Sequence, residues 1–168
     1  MVRVATVLES WRSVRADTAQ AVEDFPPSEL DFRPAPEVMS FRELALHILQ
    51  AGHGLTGLLL EGVENFATPD FRERVKERGA LVAADADARA LAAALRESVE
   101  TRCQQLAQQP PEFFSHIVTR MDGQSVTRLE MLQFVKEHEL SHRGQMFLYL
   151  RLKGRVPPTT RRRMAGRS

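Results

Sequence analysis

Three proline pairs divide this 168-residue chain, and each follows a stretch of helical periodicity. Pro26-Pro27, Pro110-Pro111 and Pro157-Pro158 remove backbone donors and lock φ, so no regular helix continues through them. Before the first pair, Val4, Val7, Leu8, Trp11, Val14, Thr18 and Val22 recur at three- and four-residue spacing, which predicts a helix from about Val4 to Asp24. Pro34 and Pro36 keep the next stretch irregular. A second helix opens at Ser40-Phe41-Arg42-Glu43, a capping box in which hydroxyl and carboxylate satisfy each other's backbone amides. Phe41, Leu44, Ile48, Ala51, Leu55 and Leu59 carry its apolar stripe to about Leu60. Gly52, Gly54 and Gly57 lie inside that stripe, each costing ~1 kcal/mol relative to alanine. They point to close packing by another element, or to a weak helix end.

Residues 61–87 are less regular, with a short helix over Phe71–Arg78 and Gly79 to end it. Asp85 or Asp87 caps a third long helix with Leu91, Leu95, Val99 and Leu106 on one face. Phe113–Thr127 alternates around Asp122-Gly123, a two-residue turn signal that predicts a small hairpin. Thr127-Arg128-Leu129-Glu130 is a second capping box, opening a fourth helix that runs to about Leu152 and stops at Gly154. The expected fold is all-α: a four-helix bundle with long connections and a small β-hairpin before the last helix. Connections longer than ten residues in a compact bundle often line or cover a site.

Charge divides the chain. From Arg151 onward there are seven basic residues and no acidic ones, whereas the first 150 residues carry 16 basic and 22 acidic groups, a net of −6. The expected organisation is a bundle domain over residues 1–156 and a basic C-terminal tail over 157–168. The tail reads as a frayed, solvated terminus; its other use would be to touch phosphates. No aromatic-basic platform or helix-turn-helix accompanies it, so nucleic-acid binding ranks last among the functions weighed. No apolar run reaches the ~18 residues needed to cross a bilayer. The amphipathic N-terminus, with Glu9, does not read as a secretory signal. A single cysteine, Cys103, excludes an internal disulfide and a cysteine-only zinc cluster, and a reducing cytoplasm is the simplest location.

The histidines carry the chemistry. Met131, Val135, His138, His142 and Gln145 follow at spacings of four, three, four and three, the seam of a bundle helix. His138 and His142 therefore point at the core, stacked one turn apart, where a shared divalent cation offsets the cost of burying two imidazoles. His47 sits on the apolar face of the second helix, three residues after Leu44, and supplies a third ligand. Three imidazoles from two helices match a catalytic-type site with a position left open. His53 falls off that stripe and His116 lies in the hairpin, so both read as surface or pocket-rim residues. Gln145 is either an orienting group for a ligand or water, or a polar residue at the mouth of the bundle. Arg143 lies off the seam, suited to a salt bridge or a dimer contact. Cys103 has no partner histidine nearby in sequence and reads equally as a small hydrophobe.

His138-Glu139-Leu140-Ser141-His142 also spells the H-E-x-x-H of zinc proteases. The extended motif requires glycine and histidine where this chain has Gln145 and Leu148, and no histidine or acidic residue follows His142. Glu139 points aside, ~80° from the middle of the histidine seam. The metal-dependent hydrolase of that type is accordingly a minor alternative.

Ser40–His47 (SFRELALH), the segment HELSHRGQMFLYLRLKGRVPP from His138, and the four helices together resemble the DinB-like, or damage-inducible, metalloprotein superfamily. Its pattern is one histidine in the second helix and an H-x-x-x-H pair, often continuing His-Arg-Gly-Gln, in the last; Arg143-Gly144-Gln145 matches that continuation. The resemblance implies a four-helix bundle, often dimeric, with a three-histidine divalent site on His47, His138 and His142, usually holding zinc or nickel. It also implies a small-molecule substrate. Some members are transferases or isomerases that use a low-molecular-weight thiol such as bacillithiol or mycothiol. The function expected is thus a divalent-metal-dependent enzyme, with thiol S-transfer as the specific reaction. The alternative is a non-catalytic metal-binding stress-response protein. A structural zinc would call for a fourth protein ligand, and none is evident in the sequence.

Overall fold

The computed structural model describes residues 3–166. Four long helices build the bundle: α1 (Val4–Asp24), α2 (Phe41–Leu60), α4 (Ala88–Ala107) and α6 (Arg128–Leu152). Three shorter ones, α3 (Phe71–Gly79), α5 (Pro111–Ser115) and α7 (Pro158–Ala165), and a hairpin of β1 (Ile117–Thr119) and β2 (Ser125–Thr127) fill the connections. The local signals act as expected. Ser40 and Glu43 cap α2 reciprocally, with Glu43 N donating to Ser40 Oγ at 3.2 Å and Ser40 N to Glu43 Oε2 at 2.8 Å. Thr127 and Glu130 do the same for α6. Asp87, rather than Asp85, caps α4 by accepting from Ala90 N at 2.8 Å. Gly154 takes a positive φ of 69° and closes α6, with Arg155 N bonding back to Leu150 O.

The helices pack in the cyclic order α1, α4, α2, α6, so α1 lies diagonal to α2 and α4 diagonal to α6. Chain-adjacent helices that sit across a diagonal need long connections, which is why residues 25–40 and 108–127 are not tight turns. The connection from α2 to α4 folds α3 back onto α2. Gly54 makes that approach feasible, because a Cβ there would strike the Val75 carbonyl of α3. Gly79 does the same from the other side, facing the Gln50 backbone. The glycines inside α2 therefore mark close packing and not a weak end.

Two apolar clusters fill the bundle. One gathers Phe25, Leu30, Phe41, Leu44, Ile48, Leu91, Leu95 and Met146, with Phe25 stacked on Phe41 at 3.7 Å between ring centroids. The other gathers Trp11, Leu55, Leu58, Val99, Leu106, Met131, Leu132 and Val135. Between them lies a buried polar layer of Arg15, Thr18, Ser98 and Glu139.

The C-terminal segment departs from expectation. Residues 158–165 are not a frayed tail; they form α7, opening with Pro158 in the first turn, where a missing N–H costs nothing. Arg161 pairs with Asp24 at 2.7 Å, and Arg162 pairs with Asp17, which also holds Arg143 at 3.2 Å. The basic excess of the last residues is thus partly neutralised by α1 carboxylates. Among the described residues no helix is long and apolar enough to cross a membrane.

Candidate metal centre

His47 leaves α2 about two turns inside its capped end, and His138 and His142 leave α6 one turn apart. Their rings meet edge to face, with centroids 4.8 Å (His47–His138), 4.7 Å (His47–His142) and 4.5 Å (His138–His142) apart. His138 Nε2 stands 3.0 Å from His47 Nε2 and 3.2 Å from His142 Nε2. Metal–imidazole bonds of ~2.0–2.1 Å in a tetrahedral shell separate the donor nitrogens by about 3.3 Å, so these spacings fit one shared ion. Among the described residues, these three form the group whose ligand atoms all lie within 4.8 Å of one another, and they could hold a metal ion.

The electrostatics agree with that donor set. Burial, then the neighbouring His142, lowers the His47 pKa; burial, then His142 and His47, pushes His138 down to about 4. His138 therefore stays neutral well into mild acid, and the same burial biases His47 toward the neutral form that ligation requires. His142 Nδ1 lies 3.0 Å from Gln145 Oε1, an acceptor, so the ring donates there and keeps its Nε2 lone pair for the common point. Gln145 itself is exposed at the edge of the bundle, and it orients a ring without entering the cluster.

The histidines are partly buried and not enclosed in the core. From Val135 the buried face of α6 continues four residues on, to Glu139, and then to Met146 and Leu150, leaving His138 and His142 on its flank. The heptad seam read from the sequence drifts off the true 3.6-residue face. Glu139 consequently points into the bundle, not aside, and is 2% exposed. It accepts from Arg15 Nε at 2.7 Å, Trp11 Nε1 at 2.8 Å and Thr18 Oγ1 at 2.8 Å. A carboxylate committed to three donors in the polar layer is not a general base for the histidine site, which disposes of the H-E-x-x-H protease reading.

A cleft of about 470 Å³ opens beside His47 and His138, between α2, α3, α6 and the hairpin. Ala51, Leu55, Phe71, Val75, Met121 and Phe134 make its apolar walls; Gln50, Arg72 and Lys76 are its other polar members. The connection over residues 61–87 thus does line the site.

The other candidates lie elsewhere. His116 is exposed and pairs with Glu64 at 2.8 Å. His53 lines a separate cavity of about 380 Å³ with Leu81, Val82 and α4 residues, and burial, followed by Arg102 and Arg15, pushes it down to about 4. Cys103 is fully buried, its Sγ donating to Leu8 O at 3.8 Å, and burial pushes the thiol up to about 11, so it is no nucleophile. Sequence reasoning missed Arg15 as the partner of Glu139. Its signal was present: Arg15 sits four residues after Trp11 and three before Thr18, on the buried stripe of α1. Gln50, Arg72 and Lys76 carried no motif at all.

The comparisons with known proteins follow the same lines. The sequence is 27% identical over 148 residues to the uncharacterized protein YjoA of Bacillus subtilis, covering 88% of this chain and 89% of that one. The crystal structure of the DinB-like YjoA superposes with a TM-score of 0.68 at 24% identity, over 90% of this chain and 93% of the other. YfiT of Bacillus subtilis, described as a probable metal-dependent hydrolase with an unusual four-helix bundle topology, superposes at 0.67 with 18% identity, over 93% and 92% of the chains. A mycothiol-dependent maleylpyruvate isomerase superposes at 0.65 with 17% identity; 86% of this chain covers 61% of that one. The DinB family model matches residues 1–166, and the chain belongs to the DinB family.

Proposed function

We propose that the protein is a divalent-metal-dependent enzyme whose ion is held by His47, His138 and His142, and that it transfers a small thiol to an electrophilic substrate. The observation that carries this is the convergence of three Nε2 atoms on one point beside an open cleft. A divalent ion there, zinc or nickel by the resemblance of the motifs, supplies Lewis acidity and lowers the pKa of a thiol or water that reaches it. The chain's own residues do the rest. Gln145 fixes the tautomer of His142, while Ala51, Leu55, Phe71 and Phe134 exclude water from the cleft floor.

Thiol transfer is preferred to hydrolysis because no carboxylate lines the cleft among the described residues, and Glu139 is bound to Arg15. A water nucleophile benefits from a carboxylate base beside the metal; a thiol whose pKa has been lowered does not need one. Hydrolysis is the second reading, favoured by the likeness to YfiT. A thiol panel with monochlorobimane as electrophile separates them. The expected result is metal-dependent acceleration with at least one low-molecular-weight thiol, lost in His47→Ala. No acceleration with any thiol, alongside metal-dependent cleavage of ester or amide probes, overturns S-transfer in favour of hydrolysis.

A further inference from the structure

The cleft carries a charge pattern that metal binding does not use. Arg72 and Lys76 stand four residues apart on one face of α3 and both line the cleft. Neither makes an ion pair or side-chain hydrogen bond among the described residues. Their neighbours differ: Arg78 is held by Glu61 at 2.7 Å, and Arg120, over the Phe134 ring at 5.6 Å, is neutralised by Asp122. Glu73 and Glu77 follow the two cations by one residue each, ~100° around the helix, and do not line the cleft. In a body whose first 150 residues are net acidic, this cavity holds two free cations and no carboxylate.

The cations are also held in register with the histidines. Gly54 and Gly79 bring the backbones of α3 and α2 into direct contact, and α2 carries His47. The distance from Arg72 and Lys76 to the imidazoles is therefore set by packed backbone and not by a loose loop, the arrangement a preformed site requires. A volume of about 470 Å³ with six apolar side chains suits a ligand of modest size.

We infer that the cleft binds a small molecule with an apolar body and one oxyanion, the oxyanion held by Arg72 and Lys76 and the far end presented to His47 and His138. The reacting end rests on the metal-enzyme proposal; the anion site does not. The test compares 4-phenylbutyrate with its neutral counterpart 4-phenylbutanol by calorimetry on the full chain, as purified and after EDTA, with 2-phenylethyl phosphate distinguishing carboxylate from phosphate preference. The acid binds about tenfold tighter than the alcohol at low salt, the scale of charge-assisted contacts to two exposed cations. Arg72→Gln/Lys76→Gln abolishes that preference, leaves the alcohol unchanged, and leaves the helical circular dichroism unchanged, both side chains being exposed. Equal binding of acid and alcohol, no binding of either at millimolar concentration, or an undiminished preference in the double variant overturns the inference. A preference that disappears with EDTA assigns the anion to the metal, overturning the Arg72/Lys76 site while leaving the metal proposal standing. A preference that persists in a chain shown to bind no metal upholds the anion site and sinks the metal proposal.

Discussion

Replacing Glu139 by alanine isolates the polar layer that lies between the two apolar clusters. The carboxylate is 2% exposed and its partner Arg15 is fully buried. Truncation leaves the guanidinium without its anion and leaves the Trp11 and Thr18 donors without an acceptor. Removing one member of a buried ion pair costs about 3–5 kcal/mol, because the uncompensated charge stays behind. An unfolding entropy of ~2.1 cal/mol/K per residue over this chain length converts 4 kcal/mol into a Tm drop of about 11 °C. The assay is urea and thermal unfolding of EDTA-treated protein, so that metal linkage does not contribute. Arg15→Met/Glu139→Met together recover most of the loss, since a well-packed apolar replacement of a buried pair is often neutral or stabilising. An E139A variant within about 0.5 kcal/mol of the parent, the size of an ordinary surface change, would refute the account of this layer. It would also reopen the case for Glu139 as a free base.

Three further outcomes are expected. Gly54→Ala pushes α3 off α2 at the Val75 carbonyl; overpacking of about 1–3 kcal/mol outweighs the ~1 kcal/mol gain in helix propensity. Trypsin then cleaves α3 at Arg72–Arg78 faster than in the parent, and unchanged cleavage counts against the close contact. In metal-free protein, His53 and His138, both lowered to about 4, hold fewer protons than the unfolded chain between pH 4 and ~6.5. Their contribution to stability is therefore complete above ~6.5 and is lost as pH falls toward 4. The urea midpoint drops between pH 7.5 and 5.5, less steeply in His53→Gln; a rising midpoint contradicts the burial. Cys103 reacts with Ellman's reagent only after denaturation, and stoichiometric labelling of the native chain would show that the thiol is not enclosed by α1 and α4.

The fold was legible in the sequence wherever a local rule had no competitor. The two capping boxes, the Asp122-Gly123 turn, Gly154 and the proline pairs mark boundaries by backbone chemistry alone, and the elements begin and end there. The triad was legible because His138 and His142 share one helix face and His47 follows an apolar position on another. What stayed hidden depends on neighbours distant in sequence. Whether Glu139 or His138 faces the bundle centre is decided by Arg15, more than 120 residues away in the chain. Docking of α7 depends on Asp17 and Asp24, which look like ordinary surface carboxylates in the periodic pattern of α1. Arg72 and Lys76 belong to a mostly polar nine-residue helix, and only its placement against α2 brings them to the cleft.

Anomalous diffraction at the absorption edge of the bound metal tests the central claim most directly. The account predicts one peak per chain at about 2.0–2.1 Å from the Nε2 atoms of His47, His138 and His142, with at least one coordination position facing the cleft. A peak located elsewhere, or a peak among these rings closed by a fourth protein ligand, would contradict it.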